Sequence, residues 1–236
     1  MKRAHCLLLV IFLLGICHIY SKTYVVCVGI ADYPGTRNDL RISDNDAKTI
    51  SRIFKTNSNA SVAMLLNSQA SQSAVISTMQ NMFARADSDD TIILFFSGHG
   101  TPIGLVCHNG VLGFNRLLDV MQKCKASKKM IFADACYAGK MRSKPQQTNS
   151  YTNQNIMLFL SSRTNELSQE TRFKNSLFTI FLERGLRGGA DANRDRTITA
   201  KELYRFVHDG VISASNNRQH PVMWGKFNDN MPIIKW

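Results

Sequence analysis

A histidine and a cysteine, each set down where a buried-strand pattern ends, are the residues of this chain best suited to chemistry. The apolar run Thr91 to Phe96 (TIILFF) leads straight into Ser97-Gly98-His99-Gly100. A second run, Met130 to Ala133 (MIFA), leads into Asp134-Ala135-Cys136-Tyr137-Ala138-Gly139. β-Branched and aromatic residues stopped by small ones read as strands. In an open α/β sheet, reactive groups collect just beyond the carboxyl ends of parallel strands. A thiol and an imidazole delivered to neighbouring strand ends make a dyad for nucleophilic catalysis, the imidazole taking and returning the thiol proton. Alone, each would read as a satisfied polar residue or a small core residue. Their joint occurrence in this context favours the dyad.

The elements that must position these groups follow from the hydrophobic pattern. Tyr24 to Ile30 (YVVCVGI) predicts a central strand, followed by a polar loop over Ala31 to Ser43. Asp44 or Asn45 is expected to cap a helix carrying Ala47, Ile50, Ile53 and Phe54 on one face. Ser61 to Leu66 predicts a strand, and Ser71 opens a helix with Val75, Ile76, Met79, Met82 and Phe83 on its apolar side. Gly104 to Gly113 reads as a hairpin turning at Asn109-Gly110, and Phe114 to Lys123 as a helix. Residues 140–154 are polar, lack periodicity and predict a long mobile loop. Asn155 to Leu160 predicts a strand, with helices over Ser176 to Leu186 and Ala200 to His208. The tail from His220 could add a short edge strand. Alternating strands and helices predict an α/β fold, a three-layer α/β/α sandwich around a mostly parallel sheet.

Lys2 and Arg3 precede the apolar run Cys6 to Cys17. That run is short of the roughly 20 apolar residues a spanning helix needs. Residues 1–21 read as a signal peptide cleaved after Ser21, leaving residues 22–236 as one domain exported to the periplasm or the outside. Ile16 before Cys17 speaks against lipidation, and an uncleaved N-terminal anchor is the alternative. Once the leader is removed, no stable membrane insertion is expected. The formal charge is +12, but Lys and Arg are scattered and form no nucleic-acid motif, so nucleic acid is not an expected partner. Cys27, Cys107, Cys124 and Cys136 have neither zinc spacing nor a disulfide framework. The pairing of the first three is left open, though a buried free thiol is the default for Cys27.

The chain resembles the caspase-like cysteine peptidases of clan CD, in their bacterial and metacaspase-like branch. The segments VVCVGIADYPG, SDNDAKTI, FFSGHG, FADACYAG and SSRTNELSQE carry the resemblance, in the family's order and across nearly all of the predicted domain. It implies a cysteine-type endopeptidase acting on polypeptides with His99 and Cys136 as dyad. The backbone amides of Gly100 and Cys136 would form the oxyanion hole. It also implies a pocket of Ser43, Asp46, Ser97 and Asp134 that receives Arg or Lys before the cut, Ser43 standing where many relatives have Cys. A plainer reading of Asp46, compatible with this one, is a helix first-turn acid stabilised by the macrodipole. The rival from another class is a catalytically silent binding module on the same fold. Keeping both dyad residues counts against it.

Residues 191–202 match an EF-hand spacing, with Asp191, Asn193, Asp195, Thr197 and Glu202 in ligand positions. Arg196 occupies the sixth position, where the sharp turn calls for glycine. Calcium is therefore an expected candidate ligand of a flawed loop. The chemistry itself is expected to require no cofactor.

Overall fold

The computed structural model describes residues 21–57, 59–135, 155–162 and 174–235. In chain order the elements are β1 (Thr23–Gly29), α1 (Ser43–Lys55), β2 (Ala60–Leu66), α2 (Gln72–Phe83), β3 (Thr91–Ser97), β4 (Gly100–Thr101), β5 (Gly104–Cys107), β6 (Gly110–Gly113), α3 (Phe114–Lys123), β7 (Lys128–Asp134), β8 (Ile156–Leu160), α4 (Leu177–Arg184), β9 (Thr197–Thr199), α5 (Ala200–Ala214), β10 (Val222–Trp224) and β11 (Pro232–Lys235). The main sheet has the order β10-β8-β7-β3-β1-β2, parallel except for β10.

Helices cover both faces. Val26, Val28, Ile92, Leu94, Phe96 and Ile131 pack towards α2 and α3 in one core. Val25, Cys27, Ile93, Phe95, Met130 and Phe132 meet α1, α4 and α5 in the other. Burial on both sides is why these strands read as continuous apolar runs rather than alternating ones. Each large side chain so buried stabilises the fold by about 1.5–3 kcal/mol. The chain winds outward from β1 to β2 and then back to β3, so the order reverses at β1/β3. A crevice opens at such a reversal, beyond the carboxyl ends of the strands.

Several boundaries differ from expectation for identifiable reasons. α1 starts at Ser43 with Ile42 at its N-cap, and no side chain caps it. Asp44 is instead paired with Lys48 at 2.6 Å, and Asp46 turns inward. The hairpin turns at His108-Asn109 rather than Asn109-Gly110, with Cys107 opposite Gly110. Docking of this turn on the start of α2 goes with that register. The His108 N–H donates to the Ala70 carbonyl at 2.9 Å, and Asn109 Oδ1 accepts from the Gln72 N–H at 2.7 Å. β10 supplies the edge strand of the tail, and β11 pairs with β9. The expected loop over 140–154 and the N-terminal segment up to residue 20 lie outside the described residues.

α5 runs on to Ala214 instead of stopping at His208, because Gly210 is a contact point and not a stop. A Cβ there would lie 2.3 Å from the Phe181 ring of α4. Gly→Ala in a helix interior ordinarily stabilises by up to about 1 kcal/mol. Here the overpacking should win, and Gly210→Ala is expected to lose about 1–3 kcal/mol. Thermal unfolding would show a midpoint lower by several degrees; a higher midpoint would refute the close approach.

Candidate active site

The register of two central strands sets the geometry. β3 and β7 are parallel neighbours with Ser97 directly opposite Asp134. The ladder continues one step further, the Gly98 N–H donating to the Asp134 carbonyl at 3.2 Å. His99 therefore follows by two residues a position level with the one that Cys136 follows by two. Cys136 lies outside the described residues, as do Tyr137, Ala138 and Gly139. Ala135 just before it is buried, and its N–H donates to Ser161 Oγ at 3.3 Å, while the Ser161 N–H donates to the Ala133 carbonyl at 2.9 Å. The end of β7 is thus tied to the end of β8. Gly100 opens β4, opposite Leu105.

His99 is half-buried and held at several points. Its Nε2 lies 2.8 Å from the Asn38 carbonyl oxygen. A carbonyl can only accept, so Nε2 carries the proton and the neutral ring leaves its lone pair on Nδ1. The His99 N–H donates to Tyr33 Oη at 2.9 Å, and the tyrosine ring lies against the imidazole with centroids 4.9 Å apart. Tyr33 and Asn38 fall in what the sequence shows only as a polar loop. A backbone carbonyl leaves no sequence signature, and Tyr33 is visible only as one residue of a longer matching segment.

Side-chain alternation turns Ser97 and Asp134 towards α1 and α4, on the same side as Phe95 and Phe132. There they meet Asp46. Ser97 Oγ donates to Asp46 Oδ2 at 2.8 Å. Asp46 Oδ1 accepts from Asn175 Nδ2 at 2.9 Å and from the Ser176 N–H at 3.0 Å. Ser176, the N-cap of α4, also donates its hydroxyl to Asp134 Oδ2, which accepts from Thr179 Oγ1 at 3.2 Å. Both acids are buried, Asp46 at 0% and Asp134 at 4% exposure. The structure thus brings Asp46, Ser97 and Asp134 together. Ser43 is buried one helical turn before Asp46. Asn175, Ser176 and Thr179 were not singled out from sequence. An N-cap serine looks the same whether or not its hydroxyl also serves a carboxylate.

The profile of the caspase domain matches residues 22–231. The chain belongs to the caspase family. No curated protein sequence matches it. Among solved structures, protein GSU0716 from Geobacter sulfurreducens is similar at 17% identity and TM-score 0.69, over 88% of this chain and 94% of that one. Caspase-1 from Spodoptera frugiperda is similar at 17% identity and TM-score 0.65, over 91% of this chain and 89% of that one. At that identity these two show the shared fold. The caspase-like α/β/α architecture expected from the sequence is therefore the one the chain adopts.

Cys27 and Cys107 are buried and unsuited to nucleophilic work. Cys27, Cys107 and Cys124 are free, and burial pushes the Cys107 thiol up to about 12 and Cys27 higher still. In the acidic loop, Asp191, Asn193 and Asp195 accept backbone N–H bonds from the loop itself. Glu202 accepts from the Thr199 N–H and hydroxyl in a capping box at the start of α5. Arg196 takes φ 64°, the left-handed conformation expected of glycine there. Thr197 begins β9, paired with β11. Among the described residues, no three His, Cys, Asp or Glu side chains gather closely enough to hold a metal ion. Nor is any described helix long and apolar enough to cross a membrane.

Burial, and secondarily the Asp134 charge, push the Asp46 carboxyl up to about 7, against the hydrogen bonds from Asn175, Ser97 and Ser176. An unfolded aspartate titrates near 3.9. Between those values the folded state keeps a proton that the unfolded state has lost. The Asp46 contribution is therefore full below about pH 4 and is lost as pH rises through about 7. Denaturant midpoints should fall between pH 5 and 8 in the wild type, with a flatter slope in Asp46→Asn; equal slopes would contradict this.

Proposed function

We propose that this caspase-family chain is a cysteine endopeptidase that cuts after Arg or Lys, with His99 and Cys136 as its dyad. The observation that carries the reading is the opposition of Ser97 and Asp134, which sends both motifs off adjacent strands at one level. The Asn38 carbonyl keeps the proton on Nε2 and leaves Nδ1 free to take the thiol proton from Cys136. The thiolate then adds to the scissile carbonyl, and the carbonyl π electrons move onto oxygen, which the Gly100 and Cys136 amides stabilise. Collapse of the adduct breaks the C–N bond while the His99 imidazolium protonates the departing amine. A water deprotonated by His99 next attacks the thioester and releases the acid product and the thiol. The dyad draws on no cofactor.

Preference for a basic side chain rests on the paired carboxylates. Asn175 Nδ2 and the Ser176 N–H already occupy Asp46 Oδ1. An incoming guanidinium would displace the Asn175 amide and offer stronger, charge-assisted bonds to both acids. The basic start and apolar run Cys6 to Cys17 support export of the protein with its leader removed.

A fluorogenic panel with Arg, Lys or Asp before the scissile bond, assayed with and without calcium, tests the proposal. The wild type should cleave after Arg and Lys with or without calcium, and Cys136→Ala should be inactive. Asp134→Asn should lower kcat/KM for the Arg substrate by about 10- to 100-fold, as expected for losing one partner of a buried charge contact. Dominant cleavage after Asp would overturn the pocket assignment, and an inactive wild type would overturn the enzyme assignment.

A further inference from the structure

We propose that Tyr33 is a positioning residue for His99, fixing the imidazole for proton transfer without touching substrate. Its consequence for rate rests on the endopeptidase reading above; its effect on the imidazole does not. Tyr33 is buried at 5% exposure, at the junction of three segments. Its hydroxyl accepts from the His99 N–H at 2.9 Å and donates to the Val106 carbonyl at 3.1 Å. The Val106 N–H in turn donates to the His99 carbonyl at 2.9 Å. Both backbone polar groups of His99 are thereby engaged, one by the tyrosine and one by β5. The tyrosine ring closes one side of the imidazole, and the Asn38 carbonyl takes Nε2.

Tyr33 and Asn38 belong to one braced segment, so they move together. Asn67 Oδ1 accepts from the Ala31 and Asp32 N–H groups at 2.9 and 3.2 Å. Asp39 Oδ1 accepts from the Tyr33 N–H at 3.0 Å, and the Leu40 N–H donates to the Ala31 carbonyl at 2.8 Å. Gly98 completes the fit, because a Cβ there would lie 2.7 Å from Tyr33 Oη. A bare N–H and a bare carbonyl face each other at this point, and only a group that both donates and accepts can serve the two. Phenylalanine keeps the ring and leaves both unpaired. The imidazole would then lose its fixed height above the strand end, and misplacement on the scale of an ångström is costly in rate.

The test compares wild type, Tyr33→Phe and a protein carrying 3-fluorotyrosine at position 33, using nitrogen-15 spectra of the His99 imidazole across pH together with peptidase kinetics. The fluorinated protein keeps the hydroxyl and the fold while altering its donor and acceptor strength, so it decides the matter if Tyr33→Phe misfolds. Wild type should show the Nε2–H tautomer in the neutral ring. Tyr33→Phe should show mixed tautomers and a displaced titration midpoint, with kcat down about 10- to 100-fold and KM within about twofold. Fluorination should shift the His99 amide proton resonance. His99 spectra identical in all three proteins, or a change in KM alone, would overturn the proposal. An inactive wild type whose His99 spectra still respond to Tyr33 would sink the endopeptidase reading and uphold this one.

Discussion

Everything at the site depends on the parallel pairing of β3 with β7 in the register that sets Ser97 against Asp134. A slip of β7 by one residue against β3 would turn Asp134 to the opposite face of the sheet from Ser97. The carboxylate of Asp134 would then face the helices α2 and α3, away from Asp46, and the segments leading to His99 and to Cys136 would leave the sheet at different heights. Bulky residues at the preceding positions prevent this. Ile93, Phe95, Met130 and Phe132 are fully buried against α1, α4 and α5, while Ile92, Leu94, Phe96 and Ile131 fill the other face.

The same register creates a cost. Two carboxylates lie beside one another away from water, and burial raises the proton affinity of Asp46. Five donors from Ser97, Asn175, Ser176 and Thr179 offset that cost. Most come from the start of α4, so one helix terminus serves both as a cap and as the lining of the acid pair. The acid pair is thus held by hydrogen bonds from neighbouring side chains and backbone rather than by apolar packing.

Legibility from sequence followed physical locality. Strands buried on two faces wrote themselves as apolar runs, and a mostly parallel sheet followed from their alternation with helices. Asp46, Ser97 and Asp134 were reached through family resemblance, and side-chain alternation explains why they converge. What was hidden depends on partners distant in the chain. The full length of α5 was not legible, because the reason for Gly210 within it is Phe181 in another helix. Asn38 acts through a carbonyl, and Ser176 through a hydroxyl already accounted for as a cap. The start of α1 was misplaced because Asp44 and Asn45 both looked like caps, whereas the helix begins at Ser43 and Asp44 is paired with Lys48.

The most direct test of the account is the rate of alkylation of Cys136 by iodoacetamide as a function of pH, in wild type and His99→Ala. If the two motifs share a proton, the wild-type thiol should react well below the ordinary thiol range near 8.5, and His99→Ala should return the profile to that range. Identical profiles in the two proteins would show that the imidazole and the sulfur do not meet.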